Sequence, residues 1–167
     1  MRIREIQLED AQRFLELCMR ADGESEFLLY EKNERPTTEE EQRQSIQSFK
    51  DSINSTIFVV EDDYQLVGYL LARGGSAKKN RHSVYIVIAI LQSHIGKGLG
   101  TLLFKKLEEW AREKGIHRLE LGVMEPNVHA ISLYKKMGFE IEGKKRNVFR
   151  MNDAYIDEYM MAKLLDY

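Results

Sequence analysis

Hydrophobic positions along the chain switch between a period of two and a period near 3.6, and this switching predicts a mixture of strands and helices. Residues 2–7 alternate charged and apolar side chains and read as a first strand. Asp10 stands where a helix N-cap belongs, and Ala11, Phe14, Leu15 and Cys18 carry one apolar face of a helix to about residue 21. Residues 22–36 are polar and acidic around Phe27, Leu28, Leu29 and Tyr30 and predict a partly helical connection. Thr38 begins a second helix. Glu39, Glu40 and Glu41 suit its N-terminus, and Ile46, Phe49 and Ile53 form its apolar stripe.

Two strands, 56–61 and 65–72, follow around a turn at Asp62 and Asp63. A loop with Gly74, Gly75, Lys78, Lys79 and Arg81 then leads into the nearly all-apolar run Ser83–Ile90. Such a run predicts a central strand covered on both faces. A helix begins near Gly98 with Leu99, Leu102, Leu103, Leu107, Trp110 and Ala111 on one face, and Gly115 stops it. Residues 119–123 form another short strand. Pro126 and Asn127 open a helix carrying Ala130, Leu133, Tyr134 and Met137, which Gly138 ends. Residues 139–142 and 154–161 close the chain as an antiparallel pair. Strand–helix alternation in the middle with hairpins at both ends predicts a mixed α/β sheet. No linker, repeat or low-complexity tract divides the 167 residues, so residues 1–167 read as a single domain.

Composition narrows the function classes. Hydrophobic residues make up 43% and charged residues 31%, a globular mix that argues against disorder. A net charge of -2 offers no basic field for a nucleic-acid backbone. The longest apolar run, residues 85–91, is far short of a membrane span, and the N-terminus lacks the apolar stretch of a secretion signal. A soluble, cytoplasmic protein without a membrane partner is expected. Cys18 is the only cysteine, which excludes an internal disulfide and a cysteine-based metal cluster, and its helical spacing predicts a buried core thiol.

Candidate chemistry starts at Gly96-Lys97-Gly98-Leu99-Gly100-Thr101, between the apolar strand and the next helix. Glycines admit positive φ and close backbone approach, so successive N–H groups can converge on one anion at a helix N-terminus. Lys97 is followed by glycine and not by Ser or Thr, which removes the NTP-binding loop. The G-x-G-x-G spacing also removes the dinucleotide fingerprint. A bare strand–helix turn would occupy the same positions, but three alternate glycines there carry an entropic cost. Asn127 and Tyr134 lie seven residues apart on one helix face. Asn127 also suits an N-cap, and Tyr134 also suits a core tyrosine.

Residues 89–101, the stretch Arg118-Leu119-Glu120-Leu121, and residues 127–139 from Asn127 through Tyr134 to Gly138-Phe139 together resemble the GNAT acetyltransferase superfamily, in its small bacterial type. The resemblance implies a mixed, mostly antiparallel sheet of about seven strands with about four flanking helices. Two central strands would splay apart around acetyl-CoA, and no metal is implied. It also implies that the backbone of Ile88, Ala89 and Ile90 pairs with the pantetheine arm. Gly96, Lys97, Gly98, Leu99, Gly100 and Thr101 would hold the pyrophosphate. Asn127 would line the channel, and Tyr134 would face the sulfur as general acid. The ordinary pKa values of tyrosine and thiol, about 10 and about 8.5, make that proton transfer feasible.

The implied function is transfer of an acetyl group to the primary amine of an amino acid, polyamine or drug-like molecule, by direct attack in a ternary complex. The alternatives are a protein or peptide N-terminal acetyltransferase and a non-catalytic acyl-CoA sensor. Two positions depart from the resembling pattern. Ile95 stands where many members carry Arg or Gln, and Gly122 stands where acetylases of ribosomal-protein N-termini carry glutamate. Proton removal from the amine is assigned to Glu120 as candidate base, with His82, the early acidic loop or water as alternatives. Glu24, Glu26, Glu31 and Glu34 could attract a cationic acceptor, and Arg35 could bind a carboxylate. A solvated acidic loop uses the same residues. His94 is expected to shape the glycine loop, with His117 and His129 at the surface. A homodimer is the default for a soluble assembly.

Overall fold

The computed structural model describes residues 1–166. Its seven strands are β1 (Arg2–Glu5), β2 (Thr56–Asp62), β3 (Gln65–Gly74), β4 (Ser83–Ile90), β5 (Arg118–Met124), β6 (Glu140–Met151) and β7 (Ala154–Leu164). They form one sheet in the order β1-β2-β3-β4-β5-β7-β6. Every neighbouring pair is antiparallel except β4 and β5. Four α-helices accompany the sheet: α1 (Ala11–Glu24), α2 (Glu39–Asp51), α3 (Leu99–Glu113) and α4 (Val128–Lys136). The expected mixed sheet of about seven strands and four helices is therefore the architecture observed.

Helix boundaries follow local chemistry. Thr38 caps α2 by accepting from the Glu41 N–H at 3.2 Å, while the Glu41 carboxylate reaches back to the Thr38 N–H. This reciprocal cap contributes about 1 kcal/mol. The hairpin between β2 and β3 turns on Asp63 and Tyr64, both at positive φ, one residue later than the sequence suggests. Phe14 of α1 packs edge-on against Tyr69, and Phe49 of α2 lies under the Arg73 guanidinium. Both helices therefore cover the face of β3 that carries Tyr69, Leu71 and Arg73. Cys18 is buried as expected, and burial pushes its thiol up to about 11.

Several expectations give way to tertiary contacts. Asp10 precedes α1 but does not cap it. Its carboxylate accepts from the Gln7 N–H, Arg4 and Arg13 instead. The segment after α1 holds turns and bends rather than helix, and α1 itself runs on to Glu24. Ile53 lies beyond α2 and is exposed, because Ser52 ends the helix in an extended conformation. Leu102 is exposed while Phe104 is fully buried, so the apolar stripe of α3 turns further than its leucines suggest. The closing hairpin runs over residues 140–164, far longer than the short pair expected, because β7 also pairs with the whole of β5.

Candidate active site

β4 has the bounds that its apolar run predicts, but it is not covered on both faces throughout. Val84 and Ile86 are buried, whereas Tyr85 is exposed and Val87, Ile88, Ala89 and Ile90 are half-buried. The cause is the pairing of β4 with β5. The parallel ladder has three rungs, Ser83 with Arg118, Val84 with Leu119 and Tyr85 with Glu120, and then the strands part. β5 continues along β7 as far as Met124, and β4 continues along β3 as far as Ile90. The result is a V-shaped opening in the middle of the sheet, with the β5-facing edge of residues 86–90 unpaired by β5. An extended chain can add to such an edge as a further strand.

The glycine turn sits beyond the open end of β4. Gly96 and Gly98 take φ values of 80° and 76°, the left-handed region that glycine enters without penalty. A Cβ built on either would have no heavy atom within 4 Å, so the space in front of this backbone is open. Gly98 is the N-cap of α3 and no side chain caps it, while the first intrahelical bond is from the Leu102 N–H to the Gly98 carbonyl at 3.1 Å. The N–H groups at the start of α3 are thus left for an anion. Gly100 differs in kind. It is buried, and a Cβ there would lie 2.7 Å from Leu133 Cδ2, so this glycine lets α3 pack closely on α4.

His94 fastens the turn, as expected. Its Nε2 lies 2.8 Å from Asp62 Oδ2 and its Nδ1 lies 2.8 Å from Ser93 Oγ. The Glu24 carboxylate accepts from the Gln92 N–H at 2.8 Å and ties the end of α1 to the segment before the same turn. These features fit the acetyl-CoA expected from the sequence: an unpaired strand edge for an amide-bearing arm and a glycine-lined helix start for phosphates. Replacing Gly98 by valine should weaken acetyl-CoA binding at least about tenfold by titration calorimetry, since the left-handed backbone costs about 1–2 kcal/mol and the side chain enters the open space. Gly115, at φ 69° past the far end of α3, is the control. Gly115→Val should lose similar stability and keep donor affinity. Equal losses of affinity in both variants would mean that the turn acts only through folding.

Asn127 caps α4, its Oδ1 accepting from the Ala130 N–H at 3.3 Å. Tyr134 is buried, with ring centroids 5.8 Å from Phe104 and 6.2 Å from Phe139. Among the described residues its hydroxyl has no hydrogen-bond partner, yet no fully buried polar side-chain atom is left unpaired. The hydroxyl therefore touches solvent, and it lies near enough to feel Tyr85, the last rung before the opening. Burial, reinforced by the nearby Tyr85 hydroxyl, pushes its pKa well above the ordinary tyrosine value. Tyr134 therefore stays protonated at neutral pH and keeps a proton that it can give.

Other candidates are held elsewhere. Glu120 accepts from Arg118 Nε at 2.9 Å, and Arg118 also grips Glu142. Arg35 donates to both oxygens of buried Asp22 at 2.7 and 2.9 Å, so its fork is already engaged. His82 and His129 are exposed, and His117, also exposed, has its Nδ1 2.8 Å from the Leu165 carbonyl. Tyr85 and Glu158, neither of them a site candidate by sequence, also border the opening. Tyr85 forms the last rung before the strands part, and Glu158 of β7 overlies Gly122 of β5. Period-two alternation in the two strands was the available signal, but which residues meet is set by register.

Sheet order, the central opening and the glycine turn define an acyl-CoA-type transferase fold. Residues 25–139 match the acetyltransferase (GNAT) family, and the chain belongs to that family. It is 31% identical over 106 residues to the L-amino acid N-acetyltransferase AaaT of Escherichia coli, covering 61% of this chain and 64% of AaaT. The chain thus spans less than two thirds of the length of AaaT. A GNAT-family acetyltransferase structure from Streptococcus pneumoniae superposes with a TM-score of 0.94 at 30% identity, covering 99% of both chains. The fold is also that of yncA from Salmonella typhimurium, solved with its cofactor acetyl-CoA, at a TM-score of 0.87 and 23% identity over 100% of this chain and 95% of that one. Among the described residues no helix is long and apolar enough to cross a membrane.

Proposed function

We propose that this protein is an acetyl-CoA-dependent N-acetyltransferase acting on the primary amine of a small molecule, of which an L-amino acid is the first class to test. The observation that carries the reading is the opening between β4 and β5, with the uncapped glycine start of α3 at one end and the Tyr134 hydroxyl at its wall. Similarity to an L-amino acid N-acetyltransferase supports the acceptor class.

Bound acetyl-CoA supplies an activated thioester. The unpaired backbone of Ile88, Ala89 and Ile90 would bind the pantetheine amides as an added strand. The N–H groups from Gly96 to Thr101, with Lys97 beside them, would bind the pyrophosphate. Asn127 would line the channel between these two sites. Tyr134 would protonate the departing sulfur. Burial raises the proton affinity of the Tyr134 hydroxyl, so the proton is in place when negative charge develops on the sulfur.

Thermal-shift titration with acetyl-CoA tests the donor, since a ligand at about 100 times its Kd adds about 2.7 kcal/mol. CoA release is then followed over L-phenylalanine, L-methionine sulfone, spermidine and streptothricin. Stabilisation together with turnover on at least one amine is expected. No stabilisation at millimolar acetyl-CoA would overturn the donor assignment, and stabilisation without turnover on any of the four would point to a sensor.

A further inference from the structure

The transferase reading needs a group to take the proton from an acceptor ammonium, and the residue suggested by sequence, Glu120, is held by Arg118 at 2.9 Å. We infer that Glu158 of β7 is the proton acceptor, its carboxylate occupying the space left by the missing side chain of Gly122. This inference rests on the proposed amine acetylation.

The placement follows from register. Tyr85 and Glu120 face each other on the last rung of the β4–β5 ladder and so share one face of the sheet. Gly122, two residues on, carries that face into the first open part of the V. Its partner on β7 is Met160, and Glu158 lies two residues from Met160, the diagonal neighbour on the same face. A Cβ built on Gly122 would lie 2.7 Å from the Glu158 carboxyl carbon, with its oxygens at 2.8 and 3.0 Å. No side chain at position 122 coexists with that carboxylate where it stands. The charge of Glu158 is felt at the Tyr85 hydroxyl, and the Tyr85 hydroxyl is felt in turn at Tyr134. Donor and acceptor groups thus bracket the mouth of the opening.

The other carboxylates nearby have partners. Glu120 and Glu142 bind Arg118, Glu125 binds Tyr159 and Lys144, and Asp157 binds the Asn147 N–H and Lys144. Glu158 is half-buried and, among the described residues, has neither a hydrogen-bond donor nor an ion-pair partner. Such a group suits a cationic ligand. The groups around it are Tyr85 on β4, Glu120 on β5 and Lys145, its register partner on β6.

The protons balance. Glu158 takes one from the ammonium and passes it to solvent, leaving a free amine. The amine nitrogen bonds to the acetyl carbon and the carbon–sulfur bond breaks. Tyr134 gives its proton to the departing sulfur, the nitrogen releases its second proton to solvent, and solvent returns one proton to Tyr134.

The test uses the full chain, acetyl-CoA and whichever of the four panel amines turns over fastest. Glu158→Gln should lower kcat about 10²- to 10³-fold at pH 7. The deficit should shrink as the pH approaches the amine's own pKa, because free amine then forms without a base. Stabilisation by acetyl-CoA should be unchanged, which shows that the variant is folded and keeps donor binding apart from this step. In Gly122→Glu/Glu158→Ala the carboxylate returns from the neighbouring strand, and kcat should exceed that of Glu158→Ala alone by at least about tenfold. A Glu158→Gln enzyme with the wild-type pH–rate profile would overturn the proposal. So would a rise in KM for the amine at unchanged kcat, which would make Glu158 a binding group only. Acetyl-CoA binding without turnover in the wild type would overturn the transferase reading, and this inference with it.

Discussion

Replacing Tyr134 by phenylalanine is expected to lower kcat about a hundredfold while leaving acetyl-CoA binding nearly intact. The substitution keeps the ring that packs on Phe104 and Phe139 and removes only the hydroxyl at the opening. Under the proposed mechanism the sulfur would then leave as an unprotonated thiolate, and the lost stabilisation would fall on the transition state more than on bound substrates. The affected quantity should therefore be kcat, with KM for both substrates changed little. Burial keeps this hydroxyl protonated, so Tyr134 itself should produce no alkaline fall in wild-type kcat below about pH 10. Steady-state kinetics alongside a thermal-shift titration separates the outcomes. Wild-type kcat in the variant would exclude a role as acid. Equal losses of turnover and donor affinity would assign Tyr134 to packing.

What the sequence disclosed about this site was what is decided locally. The bounds of β4, the turn at Gly96 and Gly98, the start of α4 at Asn127 and its end at Gly138 follow from short-range chemistry. A buried strand lacks polar alternation, a left-handed residue favours glycine, and an unpaired helix N–H seeks a short polar side chain. Gly96, Gly98 and Gly100 look equivalent in sequence, but the first two serve conformation and the third serves helix contact, a distinction made only by Leu133.

The opening itself was legible only through resemblance. An apolar run predicts burial, and nothing in residues 83–90 reveals that the neighbouring strand departs after three rungs. Glu158 was out of reach for a related reason. Its meeting with Gly122 depends on antiparallel register and on a diagonal contact between strands distant in sequence. Arg35 failed in the opposite direction. It looked available, yet the fold sets buried Asp22 against its guanidinium. Charged residues are the hardest to assign from sequence, because their partners are chosen by tertiary structure.

Asp10 extends that point to stability, where the largest effect in the molecule is expected. Its carboxylate is almost completely buried, at 1% exposure. It accepts from Arg4 Nη1 at 2.7 Å, from Arg4 Nη2 at 2.8 Å, from the Gln7 N–H at 2.7 Å and from Arg13. Arg4 also donates to Glu61 on β2 at 2.8 Å, so one carboxylate joins β1, the start of α1 and β2. Asp10→Ala removes the anion from between two guanidiniums and leaves the Gln7 N–H without its acceptor. Breaking a buried pair costs about 3–5 kcal/mol, and the Glu61 contacts that survive place this case near about 3. For a chain of this size that lowers Tm by about 6–12 °C. Burial alone would push Asp10 upward, but Arg4, the Gln7 N–H and Arg13 outweigh it and hold the carboxyl at about 2, below its ordinary 3.8. A carboxyl depressed by folding contributes fully above its unfolded pKa and loses that contribution as pH falls through the folded one. The gap in unfolding free energy between wild type and Asp10→Ala should therefore be widest above about pH 4 and should narrow steadily toward pH 2. Urea melts at several pH values measure it. A gap of under about 1 kcal/mol at pH 7, or one that persists unchanged to pH 2, would show that the two arginines are satisfied without Asp10.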